Sequence, residues 1–157
     1  NDERAIFYAR GVLETVKKLR WCPEIIHCQG WISALVPLYI KKAYMEERSF
    51  RDSKVVFSLF ENNMSSNLQE DIINKILLKD IEKGDIEPIV PPTATFKDLC
   101  KLAISYSDGV IQQSENVDPE LLEYAREKGI PVLEYQPIET FADAINQFYD
   151  EIWSEGN

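Results

Sequence analysis

The chain holds one histidine, His27, and three cysteines, Cys22, Cys28 and Cys100, none of them in a C-x-x-C pair. Structural zinc needs a cluster of Cys and His ligands, so no metal site is expected. The lone imidazole precedes Gln and Gly, and no Ser-His-Asp candidate set can be named. Neither G-x-G-x-x-G nor a P-loop is present, which removes the usual backbone cradles for dinucleotides and triphosphates. No apolar run approaches about 18 residues, so no membrane span is expected. Positive charge is scarce: 17 Lys and Arg against 27 Asp and Glu give a net charge of −10. That argues against nucleic acid as a partner, because phosphate backbones need clustered Lys and Arg. The basic residues Lys17, Lys18 and Arg20, and Lys41 and Lys42, fall at predicted helix carboxyl ends, where they complement the helix dipole.

What is present is an ordinary globular composition. The 157 residues are 45% apolar and 28% charged, enough for one domain with a sizeable core. Cys28 and Cys100 sit in apolar runs and read as core thiols, which fits a reducing cytoplasm as the expected location. The chain begins without Met or a signal peptide and enters a helical pattern almost at once, so the expectation is a piece cut from a longer protein. Its last residues, Trp153-Ser-Glu-Gly-Asn157, read as a natural stop.

Hydrophobic spacing sets the order of elements. Residues 4–20 place Ile6, Ala9, Leu13 and Val16 on one stripe with Val12 and Leu19 beside it, a one-faced helix that Pro23 stops. Ile25-Ile26-His27-Cys28 predicts a central strand and Gly30 a sharp turn. A helix follows from about Trp31 to Tyr44, with a kink expected near Pro37. Val55–Phe60 shows no alternation, as in a strand covered on both faces. A polar loop at 62–67 leads to an amphipathic helix through Leu68, Ile72, Ile73, Ile76 and Leu77. Beyond an irregular, proline-rich crossing, Thr95 and Asp98 form a capping-box pattern for a helix reaching Tyr106. Strands are predicted at 109–113 and, weakened by its proline, at 131–135. Between them Asp118-Pro119 opens a helix that Gly129 ends. Phe141, Ile145, Phe148, Tyr149 and Ile152 line a last helix. Strands alternating with helices give an α/β class: a three-layer αβα sandwich around a mostly parallel sheet of about four strands, in a single domain spanning 1–157.

Ligands of such sheets bind beyond the carboxyl ends of the strands. Here those ends are Cys28-Gln29-Gly30, Phe60-Glu61-Asn62, Gln113-Ser114-Glu115 and Tyr135-Gln136. Amides, a hydroxyl and carboxylates suit sugar hydroxyls better than phosphate, although the turn after Gly30 could offer free amides to an anion.

His27-Cys28-Gln29-Gly30-Trp31, continuing to Ala34-Leu35-Val36-Pro37-Leu38-Tyr39-Ile40-Lys41, resembles the H-x-H-D-W strand end and TALVPVYLK helix of bacterial glycogen synthases and plant starch synthases, glycosyltransferase family 5. Upstream, Glu3–Arg10 with Leu13-Glu14 is similar to the ERFAFFSRAALE helix of that family. Downstream, Lys54–Ser58 is similar to KSVFTIHN, and Leu102–Ser114 to LKAGILYADRVTTVS. The similarity covers about residues 3–114, and the last strand and helix show no clear counterpart.

The resemblance implies the GT-B architecture, with two Rossmann-like domains facing each other across a cleft, of which this chain would be the later part of the amino-terminal one. It implies glucosyl transfer from ADP-glucose to the non-reducing end of an α-1,4-glucan with retention of configuration, and no metal or other cofactor. The second family histidine is Gln29 here and the following Asp is Gly30; in T-I-H-N the His is Phe60 and the Asn is Glu61. The glycine-rich Lys-x-Gly-Gly motif and the carboxyl-terminal domain are absent from this sequence. The candidate sugar- or glucan-binding residues are therefore His27, Gln29, Gly30, Trp31, Glu61 and Ser114, with no catalytic residue named. Each also has a plain structural reading. His27 suits a hydrogen-bonded core histidine, Trp31 a packed strand–helix corner, Glu61 a solvated loop carboxylate and Ser114 a turn or cap. Two functions stand: a glucosyltransferase of this family, inactive as this chain alone, or a non-catalytic carbohydrate- or protein-binding module on the same fold. The face that would meet a second domain is a candidate homodimer surface.

Overall fold

A computed structural model describes residues 2–61, 68, 71–78 and 80–155; the polar loop expected at 62–67 lies outside the described residues. Four strands, β1 (Ile25–Gln29), β2 (Lys54–Leu59), β3 (Gly109–Gln112) and β4 (Val132–Leu133), form one all-parallel sheet in the order β1-β2-β3-β4. The helices are α1 (Asp2–Lys18), α2 (Val36–Lys41), α3 (Ile72–Ile76), α4 (Phe96–Ser105), α5 (Pro119–Glu127) and α6 (Ile138–Ser154). Right-handed crossovers between strands in sequential order put their helices on one face. The larger core accordingly joins residues of α1 to α5 to Cys28, Val55, Phe57, Leu59 and Val110 of the sheet. On the other face α6 is the one helix among the described residues, packing Phe148 and Ile152 against Val56 and Ile111. The expected three-layer α/β sandwich is present.

Five details differ from the sequence reading. β1 is an edge strand, not a central one; strand pairing is a long-range outcome that its apolar Ile-Ile run does not encode. The helix expected over 31–44 is split into a 3-10 turn, Trp31–Ser33, and α2. Pro37, expected to kink that helix at its second turn, sits in the first turn of α2, where its missing N–H costs nothing. The helix expected through Leu68 shrinks to the five residues of α3, and the Leu68 N–H instead donates to the Ala94 carbonyl. Val12 and Leu19, placed beside the buried stripe of α1, are 38% and 52% exposed, while Ala5, Ala9 and Leu13 are buried.

Local signals held elsewhere. Thr95 and Asp98 form a reciprocal capping box on α4. Asp118 caps α5 by accepting from the Glu120 N–H at 3.0 Å. Gly129 takes φ +71° just past the end of α5. Cys28 and Cys100 are buried, and burial pushes both thiols up to about 12, which makes them inert. Among the described residues no helix is long and apolar enough to cross a membrane.

Candidate functional site

A cleft of about 520 Å³ opens beyond the carboxyl ends of β1 and β2, against the amino-terminal turns of α4 and α5. Gly30 makes its first wall. At φ +77° it takes a conformation that L side chains resist, and the chain turns at once from β1 into the 3-10 turn. Ser33 fixes that turn by donating its hydroxyl to the carbonyls of Gln29 (2.9 Å) and Gly30 (3.0 Å). Trp31 thereby both packs on the larger core and lines the cleft. Across the sheet, the Glu61 N–H donates to Ser114 Oγ at 2.7 Å, and the Gln113 N–H to the Leu59 carbonyl at 2.9 Å. These bonds tie the ends of β2 and β3 together and set Glu61 at the rim.

The cleft's far wall comes from two helix starts: Thr95, Phe96 and Lys97 of α4, and Asn116, Asp118 and Leu121 around α5. Helix amino termini attract anions through free amides and the dipole. Here both helix starts carry a carboxylate of their own. Asp98 accepts from the Thr95 N–H (2.9 Å) at the start of α4, and Asp118 caps α5. Lys97 is held between Asp118 (2.9 Å) and Glu120, and Lys101 reaches Glu120 at 2.8 Å. Hydrogen bonds from Lys101 and Lys97 hold the Glu120 carboxyl down at about 2, and the same network raises Lys97.

His27 is not in the cleft. It points to the opposite face of the sheet, under α6, and both ring nitrogens are engaged. Nδ1 lies 2.5 Å from the Tyr149 hydroxyl and Nε2 lies 2.5 Å from Ser58 Oγ. Ser58 donates its own hydrogen to Gln113 Oε1 at 3.2 Å. Ser58 Oγ therefore accepts from an Nε2–H, and in the neutral ring that burial favours, Nδ1 accepts from the Tyr149 hydroxyl. Burial lowers the His27 pKa from its ordinary 6.5. The unfolded chain then takes up this proton more readily than the fold. The stabilisation is complete above about pH 6.5 and falls as the pH drops through that value towards the folded pKa. Urea midpoints measured between about pH 7.5 and 5 are expected to decline, and His27→Asn is expected to flatten that decline. Asp85, Asp118 and Glu120, all lowered, lose their share in a separate acid window, below about pH 4. An undiminished slope in His27→Asn would assign it to other groups.

Of the six candidates, Gly30, Trp31 and Glu61 meet at the cleft. Ser114 lies behind Glu61, its Oγ accepting from the Glu61 N–H across the two strand ends. Gln29 ends β1 with an exposed side chain outside the described lining, and His27 is the hydrogen-bonded histidine of its plain reading. The sequence reading missed Thr95, Phe96, Lys97, Asn116 and Asp118 as lining residues. A signal for two of them existed. In a parallel α/β fold, helices run antiparallel to the strands, so their amino termini gather at the strands' carboxyl ends. The caps Thr95 and Asp118 were pointing at the site.

The motif residues at the opposite end of the sheet have a different task. Lys41 Nζ pairs with Asp108 Oδ2 at 2.7 Å, and that same oxygen accepts from the Val55 N–H at 2.8 Å. The Tyr39 hydroxyl donates to the Ile76 carbonyl at 3.0 Å, and that of Tyr106 to the Asp85 carbonyl at 2.9 Å. Lys41, Asp108 and Val55 thus join α2, β2 and the α4–β3 connection at the amino ends of the strands, while Tyr39 ties α2 to α3 and Tyr106 ties the end of α4 to Asp85.

A parallel sheet covered on both faces, with a polar-rimmed cleft beyond its strand ends, defines a Rossmann-like α/β domain. Its kinship is specific: residues 1–133 match the family described as the starch synthase catalytic domain, and the chain belongs to that family. It is 32% identical over 124 residues to a glycogen synthase of Clostridium perfringens, covering 77% of this chain and 25% of that protein. It is 37% identical over 84 residues to a glycogen synthase of Pelodictyon phaeoclathratiforme, covering 54% and 17%. A Clostridium botulinum glycogen synthase is 32% identical over 123 residues, covering 76% and 25%. The chain thus spans about a quarter or less of the length of these relatives. No solved structure matches it. The family match runs past Ser114 to include α5 and β4, further than the resemblance at about 3–114, and leaves only α6 outside.

Proposed function

We propose that this chain forms the glucan-facing wall of a glycogen-synthase-type glucosyltransferase, as the later part of its amino-terminal domain, and that alone it binds α-1,4-glucan without transferring glucose. The observation that carries this reading is the cleft at the strand ends, where Trp31 and Glu61 stand together. An aromatic face and a carboxylate are what a sugar's C–H face and hydroxyls need. Transfer from ADP-glucose, the donor that the family implies, requires groups this cleft does not offer. The one imidazole of the chain is committed to Tyr149 and Ser58, and the family positions that bear His and Asp are Gln29, Gly30 and Phe60. An amide hydrogen-bonds but does not relay a proton as imidazole does, and a phenyl ring does neither. That pattern also supports the non-catalytic carbohydrate-binding reading, which fold kinship alone does not exclude.

The test is incorporation of labelled glucose from ADP-glucose into glycogen, run with this chain and with the longest product of its gene, alongside co-sedimentation with glycogen. This chain is expected to sediment with glycogen and to incorporate nothing above the no-protein control. Turnover by the chain alone would overturn the assignment of roles, and no binding to glycogen would overturn the site.

A further inference from the structure

Resting on the reading of the cleft as a sugar site, we infer that it selects an uncharged glucan segment by stacking, with Phe60 as the decisive residue, and that it excludes nucleotide phosphates. Phe60 is 42% exposed although it lines the cleft, and Trp31 lines the same space. A large ring left open to water inside a concave site is a platform for a flat apolar surface. Two ligand classes have such surfaces: the C–H face of a pyranose and the π-face of a nucleobase. Charge decides between them. A nucleotide brings phosphates, and among the described lining residues the one cationic side chain, Lys97, is already shared by Asp118 and Glu120. The helix starts that would cradle a phosphate carry their own carboxylates, and the Glu61 amide is given to Ser114. Among the described lining residues, an incoming anion meets the Glu61 and Asp118 carboxylates and no cation that is not already paired. A neutral oligosaccharide meets acceptors for its hydroxyls on the same groups. In the KSVFTIHN resemblance the position of Phe60 is a histidine, so the platform stands where the resemblance implies an imidazole.

Isothermal titration with maltoheptaose and, separately, with ADP tests this. The unmodified chain is expected to bind maltoheptaose and show no heat with ADP, and excess ADP should leave the maltoheptaose affinity unchanged. Phe60→Ala should weaken maltoheptaose binding about tenfold with an unchanged circular dichroism spectrum, and Phe60→Tyr should stay within about twofold of the parent. Equal maltoheptaose affinity in Phe60→Ala would overturn the stacking role while leaving the sugar site standing. Competition by ADP would overturn the charge argument. No maltoheptaose binding by the unmodified chain would overturn the underlying reading itself.

Discussion

Asp108→Ala is expected to destabilise the fold by about 3 kcal/mol, as the loss of a partly buried, hydrogen-bonded carboxylate does. Its Oδ2 serves two donors at once, the Lys41 ammonium and the Val55 N–H. The Asp108 and Lys41 side chains are only 27% and 31% exposed, so removing the acid leaves a poorly hydrated ammonium and an unpaired amide. The amide belongs to β2, where Val55, Val56 and Phe57 are all buried, so the damage falls on the centre of the sheet. Asp108→Asn should retain part of the loss, because a carboxamide oxygen still accepts from Val55 but pairs less well with Lys41. Lys41→Met should cost less than Asp108→Ala, because it leaves the Val55 bond in place. Equilibrium urea unfolding measures all three. If Lys41→Met proves the costlier, the ion pair and not the backbone bond is what Asp108 supplies.

Gly109→Val is expected to cost about 2 kcal/mol by overpacking. A Cβ built on Gly109 meets Ile152 Cδ1 and Phe148 Cζ at 2.9 Å, because α6 rides directly over the first residue of β3. The flexible isoleucine tip can turn aside, but the phenyl ring cannot do so without opening the smaller core that it shares with Val56 and Ile111. Phe148→Leu should therefore be destabilising by itself yet recover part of the loss in a Gly109→Val background, giving a coupling of opposite sign to simple addition. Urea unfolding of the four-member cycle reads this directly. Strict additivity would mean that α6 shifts as a rigid body instead of repacking.

These two sites show what was readable. Caps and turns are local: an oxygen and an amide three residues apart decide Thr95–Asp98, and a proline after an acid decides Asp118. The class of fold followed from alternating strands and helices. Pairing order did not, because the bonds that make β1 an edge form with residues far along the chain. Likewise the helix expected across 31–44 broke at Leu35, where the chain already had to turn out of β1 at Gly30 and restart ahead of Pro37. The candidate site was half legible. Strand ends named Gly30 and Glu61 and the family resemblance added Trp31, but Phe96 and Asn116 reach the cleft only through packing of α4 and α5. Period-two alternation along β1 separates His27 and Cys28 onto opposite faces, so the residue most suggestive of chemistry faces α6. Of the residues that carry the resemblance, Lys41 and Asp108 brace β2, and Tyr39 ties α2 to α3, so their part is structural.

The most direct test of the central claim is amide chemical-shift mapping of the nitrogen-15-labelled chain during titration with maltoheptaose. Saturable shifts are expected at Gly30, Trp31, Glu61, Lys97 and Asn116, with His27 and the Tyr149 region of α6 unmoved. Shifts centred on His27 and α6, or none at the cleft at saturating sugar, would contradict the account.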